Sequence, residues 1–173
     1  MQLQKDIVRF LFLTGCRLGE AIGLTWDCVD LVNRVITIKR ALGKDLASNP
    51  NSSRKIFKPT KTGRVRYIPI NSDLMDILES VEGNEGYVFK GHRGGYIGLD
   101  SFRQKVWKKV LAGLGIEYRY PYQTRHTVLS KVSASHGLAA ASKLAGHVDL
   151  SMVSKHYIRF TGELEDVLPS LDE

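Results

Sequence analysis

RKIFKPTKTGRVRYIPI, residues 54–70, places alternating β-branched, aromatic and basic residues on either side of TKTG. Alternation of period two marks a strand with one buried face. RKIFKPT and RVRYIPI therefore read as strands, and TKTG as the turn that pairs them in a hairpin. VITIKR, residues 35–40, reads as a third strand. The quoted stretch also holds Arg54, Lys55, Lys58, Lys61, Arg64 and Arg66 and no acid before Ile70.

Helices are expected on both flanks. Leu3, Ile7, Phe10, Leu11 and Leu13 recur at helical spacing, and Gly15 can end that helix. RLGEAIGL reads as a short second helix. Ser72 or Asp73 can cap a helix running to about Glu82. Residues 83–98 carry six glycines and are the loosest segment, with YVF as a short strand. Further helices are expected from Asp100 or Ser101 through Leu111, from Thr124 through Ser135, from Leu138 to Leu144, and from Asp149 or Ser151 through Arg159. The fold class is α+β, mostly helical, with a small antiparallel sheet of about three strands.

The totals fit one domain spanning residues 1–173 with a sizeable core. No apolar run is long enough to span a membrane, and the start, MQLQKDIVRFLFLTG, lacks the features of a signal peptide. Two cysteines, Cys16 and Cys28, are too few for a disulfide scaffold, and no Cys/His spacing suggests zinc. A cytoplasmic setting and no cofactor or metal are expected. The net charge of +7 favours a polyanionic partner, above all nucleic acid. The sign inverts after Arg159, where the tail, residues 162–173, is acidic.

Four separated clusters carry the candidate chemistry. They are TGCRLGE with Arg17 and Glu20, KTGRVR with Lys61, YQTRH with Tyr122 and Arg125, and LAGHVDLSMVSKHY with His147 and Tyr157. Taken together and in this order, they resemble the catalytic domain of the tyrosine recombinases, the phage integrase family. Gly15, Arg17, Glu20, Leu24 and Trp26 match that family's first box, and Lys61 its hairpin lysine. YQTRH matches the His-x-x-Arg-His box, with Tyr122 where histidine is usual. LAGH matches the Leu-Gly-His box. Tyr157 stands at the place of the nucleophile, one residue further from His147 than is common.

The resemblance implies the fold of a DNA breaking-rejoining enzyme and site-specific recombination through a 3′-phosphotyrosyl intermediate. Relaxation of DNA in the manner of a type IB topoisomerase, and a non-catalytic DNA-binding module, are the alternatives. A phosphodiester under attack gathers negative charge, and preorganised donors that meet it are the largest catalytic contribution. Guanidiniums suit that role because they are planar, always charged and bidentate to phosphate. Arg17 and Arg125 form the expected pair, with donors from His147 and Tyr122. Lys61 can protonate the leaving oxygen, and Tyr157 attacks phosphorus.

A continuous helix would separate His147 from Tyr157 by about 15 Å, too far to share one phosphate. The chain must therefore turn after His147, and Gly146 is the expected terminator. Lys39, Arg40, Arg54, Lys58, Arg64, Arg66, Arg103 and Lys105 are candidates for contacts along the phosphate backbone. His126 and His156 read as packing residues. The expected partners are double-stranded DNA and further recombinase protomers, in a tetramer on DNA with exchange of the C-terminal tail. The family's additional N-terminal domain, which clamps DNA from the other face, is expected to be absent from this chain.

Overall fold

The structure is a computed structural model that describes residues 2–44, 55–60, 63, 65–81, 83–91 and 94–146. Helix α1 (Gln2–Thr14) fully buries Ile7, Phe10, Leu11 and Leu13. An isolated helix of this length is marginal in water. Burial of each such side chain contributes roughly 1.5–3 kcal/mol, so packing holds the helix. It packs against α3 (Ser72–Ser80) and α6 (Tyr122–Ala145). Between α1 and the sheets lies the short helix α2 (Leu18–Ile22).

Among the described residues five strands form where about three were expected: β1 (Val29–Asp30), β2 (Val35–Ile38), β3 (Arg40–Lys44), β4 (Lys55–Pro59) and β5 (Arg66–Pro69). They make an antiparallel sheet in the order β1-β2-β5 and a separate antiparallel pair β3-β4. The expected β4–β5 hairpin does not form. Ile38 stands opposite Arg66, and Arg40 stands opposite Pro59. Only Lys39 separates these two pairs on one side, whereas residues 60–65 separate them on the other. β4 and β5 are thus successive partners of the β2–β3 chain and not partners of each other. Strand propensity is local, but pairing is decided by what lies alongside.

Helix α2 sits directly on β3. A Cβ at Gly19 would lie 2.5 Å from the Leu42 carbonyl oxygen, so only glycine permits this approach. The contact holds the first candidate box against the sheet.

Asn71, and not Ser72 or Asp73, caps α3, its side-chain oxygen accepting from the Leu74 N–H at 3.0 Å. The basic helix expected from Asp100 begins at Leu99, as α4 (Leu99–Phe102), a π-helical turn (Arg103–Trp107) and α5 (Lys108–Gly113). YVF does not form a strand; Tyr87 makes an isolated bridge to Thr25. α6 is broken at Gly137, whose φ of 82° and ψ of 166° are not helical. That break separates the two expected segments at 124–135 and 138–144. The helix expected at 149–159 and the tail at 162–173 lie outside the described residues. Among the described residues, no helix is long and apolar enough to cross a membrane.

Candidate active site

In β5 the alternation decides what Arg66 does. Val65 and Tyr67 are exposed, whereas Arg66, Ile68 and Ile70 are buried on the other face. A buried guanidinium requires an anion. Glu20, on the buried side of α2, supplies it: Arg66 Nη2 donates to Oε2 at 2.6 Å, and Nη1 to Oε1 at 3.1 Å. The same carboxylate accepts from the Arg17 backbone N–H at 2.8 Å and from Arg17 Nη1 at 3.0 Å. Burial alone would raise the Glu20 carboxyl. The hydrogen bonds and charge of Arg66, aided by Arg17, outweigh burial and hold it below the usual carboxylate range. Arg66 Nη2 also lies 3.6 Å from Cys16 Sγ. Burial pushes that thiol above its ordinary value, so it stays neutral.

Arg125 is buried at the start of α6, 1% exposed, where a charge needs partners. Its Nη1 donates to the Gly15 carbonyl at 2.8 Å, and its Nη2 to the Ala145 carbonyl at 2.7 Å. Nε has no hydrogen-bond partner among the described residues. Burial lowers the Arg125 pKa, and the Arg17 and Arg66 charges push it the same way. The guanidinium nonetheless stays protonated. One side chain thus joins the segment that leads into Arg17 to the segment that leads into His147.

The cluster Arg17, Arg66, Arg125 and Glu20 carries three positive charges and one negative. Two charges remain uncompensated, and the side chain of Arg17, 20% exposed, is the accessible one. Such a cluster is suited to an oxyanion, which would satisfy free N–H donors and neutralise the excess charge.

Gly146 ends α6 with φ +66°, as the sequence led one to expect. A Cβ there would approach Arg66 Cδ to 3.0 Å, so the end of α6 abuts the buried arginine.

The structure therefore brings Arg17 and Arg125 together. Lys61, His147 and Tyr157 lie outside the described residues. Tyr122 begins α6 but is not hydrogen-bonded to the guanidiniums; it is 45% exposed and meets His126 edge-on at 4.8 Å. Of the cations expected along a phosphate backbone, Arg66 is the clear correction. It is 6% exposed and committed to Glu20, because the strand's alternation turns it inward. Lys39 Nζ and Arg40 Nη2 both reach Asp27, each at 2.9 Å. Hydrogen bonds from Thr25, then Lys39, bring the Asp27 carboxyl down to about 2. Arg103 pairs with Asp100 at 3.0 Å, Lys58 is half-buried, and Lys105 is exposed. Arg54 and Arg64 lie outside the described residues.

Two contributors were missed from sequence: Arg66 as a member of the cluster and Asp27 as a partner of surface cations. The signal for Arg66 was present, since it stands two and four residues before Ile68 and Ile70 in an alternating strand. No local pattern could have shown Asp27, whose partners are 12 and 13 residues away.

Known proteins share this arrangement of elements. The integrase of the transposon Tn1549 superposes with a TM-score of 0.69 at 22% identity, over 90% of this chain and 54% of that one. The catalytic domain of bacteriophage HP1 integrase gives a TM-score of 0.55 at 21% identity, over 85% and 69% of the two chains. In sequence, the XerC-like tyrosine recombinase of Caldanaerobacter subterraneus subsp. tengcongensis is 27% identical, over 88% of this chain and 44% of its own length. The XerC tyrosine recombinase of Stutzerimonas stutzeri is 24% identical, over 83% and 44%. The chain thus spans less than half the length of these curated relatives. With the profile of the phage integrase family matching residues 3–163, the chain belongs to that family.

Proposed function

We propose that this chain breaks and rejoins DNA in site-specific recombination, through a covalent 3′-phosphotyrosyl intermediate. The observation that carries this reading is the span of Arg125, whose guanidinium bonds Gly15 on one side and Ala145 on the other. Gly15 belongs to the first box and Ala145 to LAGH, so the main chain of two boxes meets the arginine of a third. Support also comes from relatives named as tyrosine recombinases, and from the structurally similar Tn1549 integrase, solved in complex with a circular intermediate DNA.

A scissile phosphate enters the cationic cluster and meets Arg17 and Arg125. The Tyr157 phenol, with a reference pKa near 10, is only about 0.1% ionised at pH 7, and nearby cations favour its phenolate. Its oxygen bonds to phosphorus, and its proton passes to a neighbouring base. The bond from phosphorus to the 5′ oxygen breaks, and Lys61 gives that oxygen a proton. His147 and Tyr122 donate to the developing charge. The 5′ hydroxyl of another strand reverses the step and completes exchange. Exchange between two duplexes calls for four copies on DNA in the cytoplasm, with the acidic tail, residues 162–173, packing on a neighbouring copy.

The test is a set of duplexes from both flanks of the coding sequence, 5′-labelled and nicked just beyond each candidate cleavage point. The short 5′-hydroxyl fragment then diffuses away and traps the adduct. The expected result is a labelled protein band on a denaturing gel, absent with Tyr157→Phe although that variant still binds. Binding by the unaltered chain with no covalent band would overturn strand cleavage.

A further inference from the structure

Resting on the strand-cleavage function proposed above, we infer that Arg66 is a positioning residue which, through the Glu20 carboxylate, aims the Arg17 guanidinium at the scissile phosphate. Arg66 is not itself the phosphate contact: it is 6% exposed, and its fork is committed to Glu20.

Three observations converge on it. The first is the way one carboxylate is shared. Oε2 accepts from Arg66 Nη2 at 2.6 Å and from the Arg17 backbone N–H at 2.8 Å. Oε1 accepts from Arg66 Nη1 at 3.1 Å and from Arg17 Nη1 at 3.0 Å. Each oxygen thus bonds one nitrogen of each arginine, so the place of Arg17 follows from the place of Arg66. A two-point contact of planar groups fixes orientation as well as distance, which a lysine ammonium does not. The second is how firmly Arg66 is held. It pairs with Ile38, and Ile68 with Ile36, so its main chain is fixed in the sheet. A Cβ on Gly146 would come within 3.0 Å of Arg66 Cδ, so the end of α6 closes in on the side chain. The third is how weakly Arg17 would be held alone. It caps a helix of five residues, and its side chain is 20% exposed. A free arginine side chain carries about 2 kcal/mol of rotamer entropy. Glu20 is fully buried at its side chain, and burial by itself favours the neutral carboxyl. Arg66 keeps that carboxyl ionised and so keeps both oxygens as charged acceptors for Arg17.

A phosphate that gathers charge under attack is sensitive to the aim of such a donor. Removing one preorganised donor costs about 10²–10³ in rate, and misplacing a group by about an ångström costs on the order of a hundredfold. Moving Arg66 therefore slows attack on a charged phosphate and leaves DNA affinity nearly intact.

The experiment uses Arg66→Lys, which keeps the charge beside Glu20 without the fork, and Arg66→Met, which removes both. They are compared with the unaltered chain, with Arg17→Ala and with the double variant Arg17→Ala/Arg66→Lys. Two nicked duplexes differ only at the scissile phosphate. One carries the natural phosphodiester, and the other a methylphosphonate, in which a methyl group replaces one non-bridging oxygen and leaves the group uncharged. An uncharged group develops less negative charge under attack and draws less on a guanidinium. The readout is the ratio of adduct-formation rates, phosphodiester over methylphosphonate. A general loss of folded protein lowers both rates and leaves their ratio unchanged. Arg17→Ala is expected to lower the ratio by about 10²–10³, and Arg66→Lys by about tenfold or more. The double variant should match Arg17→Ala to within about twofold, because residues that act as one unit are not additive. DNA affinity and its salt slope should change by less than about twofold in Arg66→Lys. An unchanged ratio for Arg66→Lys would overturn the inference, as would a double variant whose ratio falls by the product of the two single effects. A loss of affinity with a shallower salt slope would instead make Arg66 a phosphate contact and would overturn it too. If Arg66→Met does not fold, Arg66→Lys still decides. Failure of the unaltered chain to cleave either substrate would reject strand cleavage itself, an outcome distinct from all of these.

Discussion

Arg125 donates from Nη1 to the Gly15 carbonyl at 2.8 Å, across 110 positions of sequence. With the Ala145 carbonyl on Nη2, this bond fastens the end of α1 to both ends of α6. A group that could bind an anion is therefore also a strut of the core.

Arg125→Lys should separate these roles poorly. One ammonium cannot replace a fork that spans two carbonyls, and a buried acceptor left unpaired costs about 1–3 kcal/mol. A loss of about 2–4 kcal/mol is expected, read as a lower urea midpoint with an unchanged slope. Strand cleavage should fall further than stability alone explains, since fewer phosphate donors remain.

Glu20 gives a pH signature. Its folded carboxyl lies below its ordinary value, so the stabilisation it provides is present above about pH 4.5 and is lost as pH falls through the depressed value. Glu20→Gln should be less stable at pH 7, with Arg66 left without its anion, and should show a flatter loss of stability on acidification. Urea midpoints from pH 7 down to pH 3 would display both effects.

Gly19 tests the seat of the first box. A methyl group would press on the Leu42 carbonyl at 2.5 Å, a backbone atom that cannot swing aside. Gly19→Ala is expected to cost about 1–3 kcal/mol by overpacking. Thermal unfolding would show it, and cleavage should drop as α2 and Arg17 shift from β3.

Asp27 holds two of the cations proposed to lie along DNA, Lys39 and Arg40. Its carboxyl, at about 2, stays ionised through the physiological range. Asp27→Asn should raise affinity for duplex DNA of any sequence. It should also steepen the slope of log affinity against log salt by up to about two. Fluorescence anisotropy across a salt series would measure both.

Much of the fold was legible because its signals are local. The apolar stripe of α1, the alternation in β2 and β5, and the glycine that ends α6 follow from spacing and backbone freedom. What sequence misjudged was pairing. A one-residue break at Lys39 sends β2 and β3 to different partners, and no turn motif in TKTG records that. In the candidate site, the motifs singled out Arg17 and Arg125, which the structure brings into one cluster, whereas Arg66 was taken for a surface cation. Its position in an alternating strand pointed inward, but the partner that makes burial tolerable, Glu20, is 46 residues away.

The identity of the residue that carries the DNA tests strand cleavage most directly. Two tyrosines compete for the role: Tyr157, and Tyr122, which begins α6 and is 45% exposed. After trapping on a nicked duplex, nuclease digestion and peptide mass spectrometry should place a nucleotide remnant on Tyr157 and none on Tyr122. A remnant on Tyr122, or covalent DNA persisting in Tyr157→Phe, would contradict the assignment of the nucleophile and the chemistry built on it.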